Sequence, residues 1–103
     1  MQRDVSHSKP RFDLIMPESL PYDKQPLTRW AELMQRGSVK YGSRNWEQAA
    51  TVDELNRFRE SAFRHFMQWY CGEDDEDHLA ATLFNLSGAE LVCWKLGEQS
   101  GER

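Results

Sequence analysis

The stretch Thr51–Gly72, "TVDELNRFRESAFRHFMQWYCG", carries a start, a stripe and a stop for one helix. "TVDE" has the capping-box spacing: the Thr51 hydroxyl can accept from the Glu54 amide while the Glu54 side chain reaches back to the cap. Leu55, Phe58, Ala62, Phe66 and Trp69 follow at spacings of three and four. That repeat keeps apolar side chains on one helical face, and Gly72 is placed to end the run.

Working outward gives two more helices. Upstream, Pro26 suits a first turn, Leu27, Trp30, Met34 and Tyr41 fall on a helical stripe, and Gly42 can supply the left-handed stop. Gly37 lies on the same stripe, where it costs about 1 kcal/mol of propensity but lets another backbone come close. Downstream, a third helix is expected from about Asp77 to Leu96, with acidic residues at its positive end and Gly97 after it. No segment alternates with period two and no Asn-Gly or Asp-Gly hairpin signal occurs. The fold class is therefore all-α, a small bundle of three main helices.

At 103 residues, 39% hydrophobic and 12% aromatic, the chain suits one domain spanning residues 1–103. All four prolines lie before residue 27, which makes residues 1–25 an extended arm. Its "RFDLIMP" is apolar enough to dock along the helices or on a partner subunit. Residues 97–103 read as a frayed tail. Four Trp and five Phe are more than three helices can cover, so a homo-oligomer, dimer or higher, is expected to complete a four-helix-like core.

The net charge is −4, and five carboxylates stand together at Glu73–Asp77. The rest of the chain is close to neutral, which excludes a protein that coats nucleic acid. No stretch approaches the ~20 apolar residues of a membrane span, and the N-terminus lacks the apolar core of a secretory signal, so a cytoplasmic protein with no membrane partner is expected. Cys71 and Cys93 have no metal-site spacing and are expected to be reduced and buried.

Two constellations carry chemistry. On the second helix Ser61, Arg64, His65 and Gln68 share a side; on the third, His78, Thr82 and Asn85 share a face, and the two strips can meet beside the acidic run. Glu73, Asp74 and Asp77, flanked by His65 and His78, offer donors for a divalent cation. The bland alternative is a solvated cap for the helix dipole, although five adjacent like charges exceed what a dipole needs. The other constellation is "KYGSRNWEQ", Lys40–Gln48. Lys40 and Arg44 could hold phosphates, Asn45 could read a base edge, and Tyr41 or Trp46 could stack on a base. Its bland alternative is a helix stop with a tryptophan plugging the core. Neither a P-loop nor a GxGxxG is present.

"KPRFDLIMPE" (residues 9–18), "KYGSRNWE" (40–47) and "RHFMQWYCGEDDEDHLAATLFN" (64–85) occur together in this order, and the chain thereby resembles the phage dATP/dGTP diphosphohydrolase N-terminal domain family. That family includes MazZ-type enzymes and is similar to the all-α MazG nucleotide pyrophosphohydrolases. The resemblance implies a helical, oligomeric enzyme in the bacterial host cytoplasm that uses Mg2+ (or Mn2+) to split a purine deoxynucleoside triphosphate into monophosphate and pyrophosphate. Lys40, Tyr41, Asn45 and Trp46 match its "KYGxxNW" motif; Arg64, His65, Glu73, Asp77, His78 and Asn85 match the last one. The expected roles are catalysis and metal handling by His65, Asp77 and His78; metal binding by Glu73, Asp74, Asp77 and His78; and nucleotide binding by Lys40, Tyr41, Arg44, Asn45, Trp46, Arg64 and Asn85. The chain departs from the MazG metal motif, having no EExxE and only a DxxD at Asp74–Asp77. A second expectation follows, a protein of the same fold that captures a nucleotide without turnover or acts on a host protein.

Overall fold

The computed structural model describes residues 9–100, with the side chains of residues 99 and 100 left aside. Three α-helices carry the architecture: α1 (Pro26–Tyr41), α2 (Val52–Tyr70) and α3 (His78–Ser100). Short 3-10 helices occupy Phe12–Ile15, Tyr22–Lys24 and Asn45–Gln48. Among the described residues no strand occurs and no helix is long and apolar enough to cross a membrane.

Helix boundaries follow local chemistry. Pro26 opens α1 and Gly42, at φ 96°, follows its last turn. Thr51 and Glu54 form both arms of the capping box on α2, and Gly72, at φ 83°, turns the chain beyond its end. Asp77 caps α3: its carboxylate accepts from the Ala80 amide at 3.0 Å.

Helix α2 lies antiparallel along α3, since Phe58 meets Phe84 while His65 meets His78. The seam is lined by small residues, with Ala62, Ala80, Ala81, Ala89 and Val92 buried. Helix α1 runs in the same sense as α3: Arg29 reaches Asp77 at the start of α3, and the segment after α1 reaches Phe84 and Lys95 further along.

Several expectations are corrected. The apolar stripe of α2 splits: Phe66 and Trp69 are 43% and 49% exposed, and His65 takes the buried place between Ala62 and the turn. Gly97 does not end α3 but is buried within it, because the helix continues to Ser100. Gly37 admits no neighbour, for nothing lies within 4 Å of a Cβ built there. The close approach falls instead at Gly88, where such a Cβ would stand 2.5 Å from the Phe58 ring. Cys71 is exposed and Cys93 half-buried; both are free thiols. Of the two places expected for "RFDLIMP", the helices of this chain do not cover it, with Phe12 73% and Leu14 71% exposed, which leaves the partner-subunit alternative standing. The first eight residues of the expected arm and residues 101–103 of the expected tail lie outside the described residues.

Candidate functional site

The α2–α3 turn brings His65 and His78 together. Their Nδ1 atoms are 2.9 Å apart, and the rings meet at a tilt of 39°. The other nitrogen of His78, Nε2, is 2.7 Å from Asp75 Oδ1. That hydrogen bond holds the Asp75 carboxyl below its ordinary range. His65 is shifted down as well, first by burial, which disfavours the imidazolium, and then by the neighbouring Arg64 charge. It is a neutral imidazole near pH 7.

Other carboxylates of the run have separate partners. Asp77 receives Arg29 through two hydrogen bonds of 2.9 and 2.7 Å, and its pKa is lowered chiefly by this guanidinium. Glu73 accepts from Gln68 Nε2 at 2.9 Å, and Gln68 Oε1 accepts from Arg64 at 3.1 Å, so Arg64 and Glu73 end one surface chain. Asp74 is exposed without a partner among the described residues. Glu76 places a carboxylate near both rings: one oxygen and a nitrogen from each of His65 and His78 all lie within 4.8 Å of one another.

The second region is the loop after α1. Arg44 adopts a left-handed φ of 58°, turning the chain into the 3-10 helix that carries Asn45 and Trp46. The Trp46 indole meets Phe84 edge-on at 5.9 Å. On one side of it a cavity of about 810 Å3 is bounded by Met34, Gly37, Tyr41, Asn45 and Phe84. On the other a polar hollow of about 460 Å3 is bounded by Asn45, Glu54, Arg57, Ser61 and Asn85. Lys40 lies over the Tyr41 ring at 5.2 Å, and Arg44 pairs with Glu47 at 2.7 Å, both at the surface.

The expected residues therefore fall into two groups. His65 and His78 are brought into contact, with Asp77 beside them in the chain but turned toward Arg29. Lys40, Tyr41, Arg44, Asn45 and Trp46 gather at the loop, and Asn85 faces that group across the polar hollow. Buried Asn85 donates Nδ2 to the Ala81 carbonyl at 2.8 Å. Ser61 links the groups, standing one turn before His65 on α2, about 6 Å of rise.

Sequence reasoning missed four participants. Asp75 stands three residues before His78, a one-turn spacing that could have been read as a ring partner. Arg29 sits in the first turn of α1, where a cation opposes the helix dipole and so calls for an acidic partner. Lys95, which donates to the carbonyls of Glu47 and Ala49, had no local signal. Glu76 was hidden among five carboxylates of equal merit.

The implied Mg2+ can be tested against this donor set. Mg2+ wants near-octahedral oxygen ligands. Here the buried donors are imidazole nitrogens, Asp77 is engaged by Arg29, and the remaining carboxylates are exposed. The residues do not fit a protein-built Mg2+ site.

Fold and site together define a small all-α protein with a buried imidazole pair at one helix turn and a tryptophan-centred cavity at the next loop. The dATP/dGTP diphosphohydrolase N-terminal family matches over residues 2–98, and the chain belongs to that family. No curated protein and no solved structure matches it.

Proposed function

We propose that the chain cleaves a purine deoxynucleoside triphosphate, taken up as its Mg2+ or Mn2+ complex, to the monophosphate and pyrophosphate. The observation that carries this reading is the succession of a cavity beside Trp46, a polar hollow at Ser61 and Asn85, and the His65–His78 pair one turn beyond. The base enters the cavity against Trp46 and Tyr41, with Asn45 at its edge. Phosphates run past Asn85 and Ser61 toward the imidazoles. Lys40, Arg44 and Arg64 neutralise them; the Arg44–Glu47 and Arg64–Gln68 contacts are exposed and cost little to exchange. A water oxygen bonds to the α-phosphorus as the bond to the bridging oxygen breaks, pyrophosphate leaves with the bonding electrons, and the proton of the attacking water passes to solvent. Asp77 acts through Arg29 as a positioning residue. Glu73 and Asp74 are the exposed oxygens available to the cation carried by the phosphates.

Family membership favours turnover. One observation favours capture without it: Asp77 is engaged by Arg29, so the turn offers a nucleotide-borne metal only surface oxygens. The setting, a phage protein acting in the host cytoplasm, rests on the resemblance alone. A second copy of the chain is proposed to cover the outward aromatics, Phe63, Trp69 and Tyr70, of which Phe63 is 68% exposed.

The test is incubation with each dNTP and NTP in Mg2+ or Mn2+, with products resolved by ion exchange. Pyrophosphate and a monophosphate from a purine nucleotide, abolished by EDTA, is the expected result. Nucleotides bound tightly but returned intact would replace the enzyme with a capture protein.

A further inference from the structure

The two buried imidazoles stand in a relation that lone pairs alone do not hold. His65 and His78 are 7% and 2% exposed, and their Nδ1 atoms face each other at 2.9 Å. His78 Nε2 lies 2.7 Å from a carboxylate oxygen, which accounts for a proton on Nε2. The facing Nδ1 atoms must then share a single proton between them, or both must face a cation. A metal bonded at about 2.1 Å to each nitrogen would span this gap at close to 90°, the cis edge of an octahedron. A tetrahedral ion would need the nitrogens about 3.4 Å apart.

Two more features point the same way. A histidine that ligates a metal through one nitrogen commonly donates its other N–H to a carboxylate, which sets the tautomer and steadies the ring. Asp75 holds His78 in this manner. Glu76 supplies an oxygen within 4.8 Å of both rings, and its side chain is exposed and free to close that distance.

We propose that His65, His78 and Glu76 hold one octahedral first-row transition-metal dication of the Mn2+, Fe2+, Co2+ or Ni2+ class, with Asp75 orienting His78 from outside. Two imidazoles and one carboxylate select such an ion over Mg2+ and Ca2+, which prefer oxygen alone, and leave coordination positions open to water or a ligand. The other grouping at this turn, Glu73, Asp75 and His78, relies on two exposed carboxylates and on the His78 nitrogen already bonded to Asp75. The inner set is better built. The site does not depend on the reaction proposed above, because occupancy is read without any nucleotide.

The test uses the full chain without a purification tag, stripped with a chelator and titrated with Co2+ followed by visible absorption, and with Mg2+ by calorimetry. One equivalent of Co2+ in a weak-absorbing octahedral spectrum, unaffected by millimolar Mg2+, is expected. His65→Asn and His78→Asn should each weaken it at least about 100-fold. Asp75→Asn, at an exposed position that leaves the fold intact, should weaken it about 10- to 100-fold. His7→Asn, the third histidine, should change nothing. Failure to bind Co2+, displacement by millimolar Mg2+, or unchanged affinity in Asp75→Asn with its circular dichroism intact would overturn the proposal. A protein that binds Co2+ as described but leaves every nucleotide intact keeps the site and loses only the reaction.

Discussion

Against α2, helix α3 comes so close that Gly88 leaves no room for a Cβ beside Phe58, whereas α1 and the loop after it bound a cavity of about 810 Å3 to which α3 contributes Phe84. The α2–α3 side is held by burial along a seam of alanines and Val92. The α1 side is held at its ends by two polar tethers, Arg29 to Asp77 at one and Lys95 to the Glu47 and Ala49 carbonyls at the other. One seam supplies stability, and the other supplies a hollow whose shape depends on a few directional bonds.

The largest loss is expected at the first tether. Asp77→Asn removes a half-buried charge from a bidentate pair and weakens the cap of α3, which should cost about 2–3 kcal/mol and lower Tm by roughly 10–20 °C. Arg29→Met should cost nearly as much, and the double variant little more than either alone, as thermal denaturation of the four proteins would show. The pH dependence has a definite sign. Because Arg29 depresses the folded pKa of Asp77, the stabilisation is fully present above about pH 4 and is lost as pH falls through the lower folded value. Asp77→Asn should therefore flatten the acid limb of a stability–pH curve; an unchanged limb would detach Asp77 from α1.

Next in size is Gly88→Ala. The added methyl must displace a ring already wedged edge-on against Phe84, at a cost of about 1–3 kcal/mol that outweighs the ~1 kcal/mol gained in helix propensity. A urea titration showing lower stability at an unchanged m-value would place the cost in the native seam. Increased stability would mean that the seam has slack.

How much of this was legible in the sequence depended on whether the signal was local. The capping box at Thr51, Pro26 at the head of α1 and Gly42 and Gly72 beyond helix ends are instructions read within four residues, and α1 and α2 stand where those signals place them, whereas α3 runs through the equally local signal of Gly97. Which glycine admits a neighbour was not readable, because Gly37 and Gly88 differ only in what the fold sets opposite them. The split stripe of α2 has the same cause: Phe66 and Trp69 keep the spacing of core residues, but they pack on one another at 6.0 Å, and His65 is the residue at that level that meets α3. His65 and His78 could be paired from two helix faces joined by a short turn. The partners of the carboxylates could not, since Arg29 lies 48 residues from Asp77.

A smaller effect is expected at the second tether. Lys95→Met keeps the apolar stem but leaves the Glu47 and Ala49 carbonyls without their donor, and should lower stability by about 1 kcal/mol. Its sharper readout is the loop: nucleotide affinity, followed through Trp46 fluorescence, should fall while the α2–α3 metal titration with Co2+ is unchanged. Loss of both together would mean that loop and turn are one mechanical unit.

The smallest effect carries the opposite sign. Gly37→Ala places a methyl where nothing lies within 4 Å and removes a helix-interior glycine, so a gain of up to about 1 kcal/mol is expected, visible as a rise of a few degrees in Tm. The same methyl projects at the wall of the cavity beside Met34 and Tyr41. If the hollow takes a purine, the stabilised variant should bind nucleotide more weakly than the parent, because space that costs the empty protein nothing has been taken from the ligand. A Gly37→Ala protein that is more stable and binds equally well would instead put the base in the polar hollow by Ser61 and Asn85, on the other side of Trp46.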